Sequence, residues 1–280
     1  MPDEKNKVFT AHHRRSLDPT PTAAQPGFVG PEVQQIGRRA WLARMVTGAF
    51  AVWTELTFGF GRRGWGIALG DADLATSLAA AQAQDPVKAL RVITEFVNAY
   101  VLVRGKEIAI VDSGLPNNGA KFGEVIKTAG LGWDAVGHLI LTHYHPDHVG
   151  SMGEVLAAAS KAAVYAGAED IPQIKSPRPI KPVGDGDEVF GLRIIATPGH
   201  TPGHISVLDP VGSLLVVGDA MTNINNNLGG SNPQYTANMA QANESVKKLA
   251  ALKFEKAVFG HGEPIEQGAA VAVAKLAGTL

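Results

Sequence analysis

Residues 141–151 read Leu141-Thr142-His143-Tyr144-His145-Pro146-Asp147-His148-Val149-Gly150-Ser151. Three histidines and one carboxylate fall within six positions, straight after an apolar run. Imidazole and carboxylate together suit zinc, manganese or iron, whereas calcium and magnesium prefer oxygen alone. The chain contains no cysteine, which excludes a thiolate cage. Residues 137–141 read as a short buried strand, so the ligands sit on the loop leaving its carboxyl end. A loop this tight cannot deliver all four to one ion. His143 and His145 can share a metal, while Asp147 and His148, past the turn at Pro146, point to a second.

Further candidates stand at the ends of three later apolar runs. Residues 189–196 lead into Thr197-Pro198-Gly199-His200-Thr201-Pro202-Gly203-His204, a stiff double turn that exposes His200. Residues 214–217 end in Gly218-Asp219, and residues 257–259 end in Gly260-His261-Gly262. Together with the compact motif these give seven ligands: His143, His145, Asp147, His148, His200, Asp219 and His261. That is enough for two metals with one carboxylate between them and positions left open for water. Asp112, closing the run at 108–111, either orients a metal-bound histidine or bonds its own turn. His204 is placed behind a ligand, orienting it, or serves the structure alone.

At 280 residues with 45% hydrophobic content, the chain is long enough for one large core domain, or a core with an extension. A net charge of -1 offers no general attraction to phosphate backbones or anionic membranes, so a small-molecule substrate is expected and nucleic acid is not. Without cysteine there is no disulfide framework and no thiol nucleophile. Composition leaves the oligomeric state open.

Residues 1–36 contain Pro2, Pro19, Pro21, Pro26 and Pro31 and few large apolar side chains, so a disordered tail is expected. Gly37-Arg38-Arg39-Ala40-Trp41-Leu42 then precedes residues 45–61, whose only charge is Glu55. Residues 37–84 resemble a twin-arginine export signal, with small residues at 79–84 for cleavage. That resemblance implies export machinery as a partner and an extracytoplasmic location. The competing reading is an amphipathic helix that packs on the domain or anchors on a membrane surface, in a protein that stays in the cytoplasm. An intact N-terminus on protein recovered from the cytosol would contradict export.

Beyond residue 87 the pattern predicts apolar runs at 90–97, 99–103 and 108–111, the last two forming a hairpin over residues 104–106. A helix follows Asn117 or Asn118 and stops at Gly130. Helices are expected at 148–159, 168–175, 236–252 and 266–280. Strands are expected at 162–165, 189–196, 204–208, 214–217 and 257–259. Residues 176–182 are expected as a loop near the site mouth. Asn223, Asn225, Asn226 and Asn227 read as an asparagine-rich turn, with a pocket-lining role as the alternative.

Residues 87–280 resemble the metallo-β-lactamase-fold hydrolases. The family's His-x-His-x-Asp-His motif is present at 143–148, and its later histidine, bridging aspartate and final histidine match His200, Asp219 and His261. The resemblance implies an α/β protein, an αββα sandwich of two mixed sheets flanked by helices. It also implies a first metal on His143, His145 and His200, a second on Asp147, His148 and His261, and Asp219 between them. Two zinc ions are the implied cofactors, with iron or manganese also accepted by the donor set. The implied reaction is attack of metal-held hydroxide on an ester, thioester or lactone carbonyl, with Asp147 holding or relaying a proton.

Departures narrow the substrate. True metallo-β-lactamases lack the bridging aspartate, and their thiolate variants need a cysteine. Homoserine-lactone hydrolases usually carry a tyrosine where Thr222 stands here. Glyoxalase II adds a C-terminal helical extension, whereas 19 residues follow His261 here. The expectation is a compact hydrolase with a glyoxalase-II-like ligand set. The alternative is a mononuclear iron oxidoreductase, persulfide-dioxygenase-like, on the same fold.

Overall fold

In the computed structural model, which describes residues 85–280, successive residues of each central strand enter different apolar layers. The tail at 1–36 and the twin-arginine-like segment at 37–84 lie outside the described residues.

One mixed sheet runs in the order β1 (Lys88–Thr94), β2 (Val97–Arg104), β3 (Glu107–Val111), β4 (Val136–Leu141), β5 (Ala163–Gly167) and β6 (Ile180–Val183). Its first three strands are antiparallel, and β3 through β6 are parallel. A second sheet contains β7 (Glu188–Val189), β8 (Leu192–Ala196), β9 (Ile205–Asp209) and β10 (Leu214–Val216), antiparallel in that order. Parallel to β10 at its edge lies β13 (Lys256–Val258). A small hairpin joins β11 (Met221–Ile224) to β12 (Asn227–Gly230). The helices are α1 (Gly119–Thr128), α2 (Pro146–Val149), α3 (Met152–Ala158), α4 (Met239–Ala250) and α5 (Ala269–Ala277).

Side chains on a strand alternate between faces. Ile108 and Ile110 of β3 and Leu139 and Leu141 of β4 therefore pack outward against Phe122 and Ile126 of α1 and Val155 and Leu156 of α3. Ala109, Val111 and Ile140, from the alternate positions, meet Ile194, Val207 and Val216 of the second sheet. The outer face of that sheet, with Ile195 and Leu215, is covered by Val246 and Leu249 of α4 and Val273 of α5. Helix, sheet, sheet and helix thus stack as the expected αββα sandwich. Burying each such side chain contributes about 1.5–3 kcal/mol, so every layer is held by many modest terms.

Several element bounds differ from the pattern. The run at 90–97 is broken by a turn at Glu95 and Phe96, where Glu95 takes φ 64° and the chain reverses from β1 into β2. The run at 189–196 turns similarly at Phe190, with φ 59°. The single helix expected at 148–159 is two, because the His148 carbonyl is taken up by Ser113, whose amide and hydroxyl both donate to it at 2.7 and 3.1 Å and pin the first turn. Only a 3-10 turn at Ile171–Gln173 forms where a helix was expected at 168–175. Residues 176–182 do not line the site cavity. Ile180–Val183 adds an edge strand, where Pro182 is tolerated, and Arg178 donates to the Leu156 carbonyl in the last turn of α3 and to the Ala159 and Ala162 carbonyls past its end.

Candidate metal centre

Five strands deliver the polar residues to one end of the sandwich. Asp112 follows β3; His143, His145, Asp147 and His148 follow β4; His200 follows β8; Asp219 follows β10; His261 follows β13. Pro146 opens α2 at a position where its missing N–H costs nothing, and that short helix carries Asp147 and His148. The structure brings all seven expected ligands together. Their nitrogen and oxygen atoms form three groups, each with members within 4.8 Å of one another: His143, His145 and His200; His143, His148 and Asp219; Asp147, His148 and His261. Asp219 links the outer two, with Oδ2 3.6 Å from His200 Nε2 and 3.2 Å from His261 Nε2.

Hydrogen bonds behind the cluster fix which ring nitrogen faces inward. Asp112 accepts the Thr142 amide at 2.7 Å and its hydroxyl at 2.8 Å, and accepts His148 Nδ1–H at 2.8 Å. With the Thr142 hydroxyl proton committed, Thr142 Oγ1 accepts His143 Nδ1–H at 3.0 Å. His261 Nδ1–H donates to Phe96 O at 3.0 Å. His200 Nδ1 faces Ser231 Oγ and Thr236 Oγ1 at 3.0 and 3.1 Å, and both hydroxyls donate onward to carbonyls. In each of these rings Nε2 is turned toward the centre; His145 instead presents Nδ1, 3.0 Å from His200 Nε2.

Of Asp112's two readings the geometry selects the first, since it orients His148 directly and His143 through Thr142. His204 also lies behind a ligand: its Nε2 accepts the Asp219 amide at 2.9 Å while Nδ1 meets Thr197 Oγ1 at 2.8 Å. Gly218 permits that approach, because at φ +62° a Cβ there would sit 2.7 Å from His204 Nε2. Gly260 clears the centre in the same way, as a Cβ would press on Asp219 and on His148 Cε1.

The donors fit a cation on an observation independent of motif. His143 Nε2, His148 Nε2 and Asp219 Oδ1 are buried, converge, and have no hydrogen-bond partner. Each unsatisfied buried polar atom costs about 1–3 kcal/mol, and divalent cations beside them would offset all three.

Charge is balanced inside the cluster. Burial drives His143 well below the usual imidazole value, His200 to about 4 and His204 to about 3. Burial also opposes charge on His148, but Asp219 and Asp112 outweigh it and hold that ring well above 6.5. His261 is likewise opposed by burial, yet Asp147 and Asp219 raise it to about 10. Asp219, despite a burial effect that favours its neutral form, is held well below the carboxylate range by His148 and His261. Two protonated rings thus stand against two carboxylates where cations would sit.

Sequence reading missed Asp170. It is buried and accepts Thr201 Oγ1–H at 2.6 Å, Gly203 N–H at 2.7 Å and Tyr144 N–H at 3.2 Å, tying the motif loop to the His200 loop. Ser231 and Thr236 were missed as well. No local signal marks them, because they meet His200 only through the fold.

In Asp112→Asn the side-chain NH2 takes either the Oδ1 place, against the Thr142 backbone N–H, or the Oδ2 place, against both Thr142 Oγ1–H and His148 Nδ1–H. In the second arrangement the His148 proton moves to Nε2 and blocks the donor, and in the first the Thr142 amide loses its acceptor. The expected result is a 10–100-fold loss in metal affinity, read by metal titration. Unchanged affinity would contradict the orienting role.

A two-sheet α/β sandwich whose strand ends gather five imidazoles and two carboxylates defines a metal-binding protein. The chain belongs to the metallo-beta-lactamase superfamily, whose family model matches residues 92–261, more than half of its length. Among curated relatives, it is 27% identical over 219 residues to the probable metallo-hydrolase YflN of Bacillus subtilis, covering 61% of this chain and 82% of that one. It is 36% identical over 118 residues to the hydroxyacylglutathione hydrolase of Ectopseudomonas mendocina, covering 41% of this chain and 42% of that one. The chain spans about half the length of the curated hydroxyacylglutathione hydrolases it matches. Among solved structures, TTHA1623 in a di-iron-bound form aligns with a TM-score of 0.54 at 26% identity, covering 64% of this chain and 94% of that one.

Proposed function

We propose that this protein is a dinuclear metal-dependent hydrolase acting on an ester, thioester or lactone carbonyl. The observation that carries it is the arrangement of seven donors as two outer groups with Asp219 between them, three of the buried donor atoms lacking any partner. The names of two relatives, a probable metallo-hydrolase and a hydroxyacylglutathione hydrolase, support hydrolysis.

His143, His145 and His200 would hold one ion; Asp147, His148 and His261 would hold the other. Two divalent cations there would lower the pKa of a shared water to about 7 and polarise the substrate carbonyl. The chain's own residues supply the rest. His143, His148 and His200 are buried and form the closed side, while His145, Asp147 and His261 are half-buried and face a cavity of about 770 Å³. A substrate therefore approaches from the Asp147 side. Asp147 Oδ2 lies 3.3 Å from His261 Nε2 and opens to the cavity, placed to hold a proton and pass it to the leaving group. The donor set accepts zinc, iron or manganese. A single-iron oxidoreductase would leave one outer group of donors without its ion, which favours the dinuclear reading.

The pH dependence of metal binding tests this arrangement. Metal needs neutral imidazole, so at neutral pH it must displace the protons on His148 and His261. Affinity is expected to fall at least roughly tenfold for each unit the pH drops between 8.5 and 7, as the proton on His261 competes and that on His148, held above its ordinary value, adds to it. Histidines with ordinary values would give a nearly flat profile over that range, and a change under tenfold per unit would contradict the charge assignment.

A further inference from the structure

The cavity over the centre has one feature that the hydrolase reading leaves unused. Among the described residues seven large hydrophobic side chains are exposed, and three of them, Phe96 (63%), Ile224 (51%) and Tyr235 (59%), line this cavity. They come from separate segments: the β1–β2 turn, the end of β11, and the loop before α4. Apolar side chains gathered around one concavity mark a surface meant to be covered by a ligand. Phe96 also lies parallel to the His261 ring, 6.0 Å between centroids at 11°, so the apolar wall reaches down to a metal donor. Leu115 and Pro146 extend it.

The charges complete the picture. Apart from its histidines, the cavity is lined by a single basic residue among those described, Arg91. That guanidinium is already bound: Nη1 donates to Glu263 Oε2 at 2.7 Å, Nη2 to Glu263 Oε1 at 3.2 Å and Gly262 O at 3.0 Å, and Nε to Asn98 Oδ1 at 2.8 Å. Glu95 adds another carboxylate to the lining. An anionic group on the distal part of a substrate would find no free cation and two carboxylates, and burying it unpaired is costly.

We propose that the substrate of this centre is uncharged beyond its reacting carbonyl and carries an apolar acyl chain, which lies against Phe96, Ile224 and Tyr235. This rests on the hydrolase reading and adds the substrate class to it. Glu263 then acts as a specificity determinant, by occupying Arg91 and denying it to anions.

Full-length zinc-loaded protein is assayed on p-nitrophenyl esters with two, four and eight acyl carbons, and on an eight-carbon ester whose chain ends in a carboxylate. kcat/KM is expected to rise roughly two- to fourfold per methylene, the upper figure being that for full burial. The carboxylate-ended ester should fall at least about tenfold below its neutral counterpart, as expected for an unpaired charge near the wall. Phe96→Ala and Ile224→Ala should each flatten the chain-length slope, and Glu263→Gln should narrow the gap between neutral and anionic esters. A flat slope, or a preference for the anionic ester, would overturn the proposal while leaving a metal-dependent hydrolase standing. Binding of neutral methyl ketones from 2-butanone to 2-decanone, followed by calorimetry, separates the two claims. Affinity rising with chain length and lost in Phe96→Ala supports the apolar wall even if every ester is inert, which would sink the hydrolase reading alone. Affinity independent of chain length overturns the wall.

Discussion

His200→Ala is expected to lose one of two bound metals and to lower kcat/KM by about a thousandfold or more, since several kcal/mol of transition-state stabilisation go with the ion. His200 is the residue that joins the first group of donors to the second sheet, because it alone of that group follows β8. Its Nε2 lies 3.0 Å from His145 Nδ1. Truncation also leaves the Ser231 and Thr236 hydroxyls facing a void large enough for water, so the fold itself should survive. Metal analysis alongside steady-state kinetics checks it. Two metals retained at the wild-type rate would show that His200 is not a ligand.

Asp219→Ala is expected to be as damaging by a different route. The carboxylate meets His148 at 3.4 Å, His261 at 3.2 Å and His200 at 3.6 Å, so on the proposed dinuclear arrangement its loss would remove the atom pair that sets the spacing of the two ions. Both metals should bind more weakly, and turnover should fall by about three orders of magnitude. Asp219→Glu, which keeps the charge but displaces it, should retain more of each. In metal-free protein the alanine variant leaves His148 and His261 without their shared counter-charge, so the His261 value of about 10 should fall part of the way toward 6.5, with Asp147 still beside it. Proton titration of that ring by NMR reads this without any turnover. Wild-type stoichiometry and rate in Asp219→Ala would rule out a bridging role. The backbone should hold in either variant, because the Asp219 amide, not its side chain, is what His204 accepts.

Much of this centre was legible in the sequence because its ligands interrupt apolar runs. His143, Asp219 and His261 each follow a buried strand by a few residues, and a polar side chain at such a boundary stands out against what precedes it. The layers were legible for the same reason, since alternating strands and helices admit few stackings. Turns inside a run were not. Glu95 and Phe190 adopt positive φ without being glycine; nothing in the composition of 90–97 announces a reversal, and in 189–196 only Gly191, at φ 65°, marks the turn. Asn225 and Asn226, by contrast, tolerate φ 53° and 59° through their own side-chain chemistry, and the turn expected there joins β11 to β12 as a two-residue hairpin. Of the four asparagines considered, Asn225 also lines the cavity, while Asn223 is buried and donates to Glu263 O at 2.7 Å. Asp170 and Arg178 escaped because their partners lie on other elements: Asp170 bridges two loops, and Arg178 closes the end of α3 rather than the mouth of the site. Residues whose role depends on long-range contacts leave no local pattern to read.

The central claim is that two metal ions sit in this cluster and that hydrolysis depends on both. It is tested most directly by counting metal in protein purified without added metal, then following ester hydrolysis on the same sample as the metal is removed and restored. The account predicts about two ions per chain and activity that returns only as the second site refills. One ion per chain with full activity, or hydrolysis that survives complete removal of metal, would contradict it.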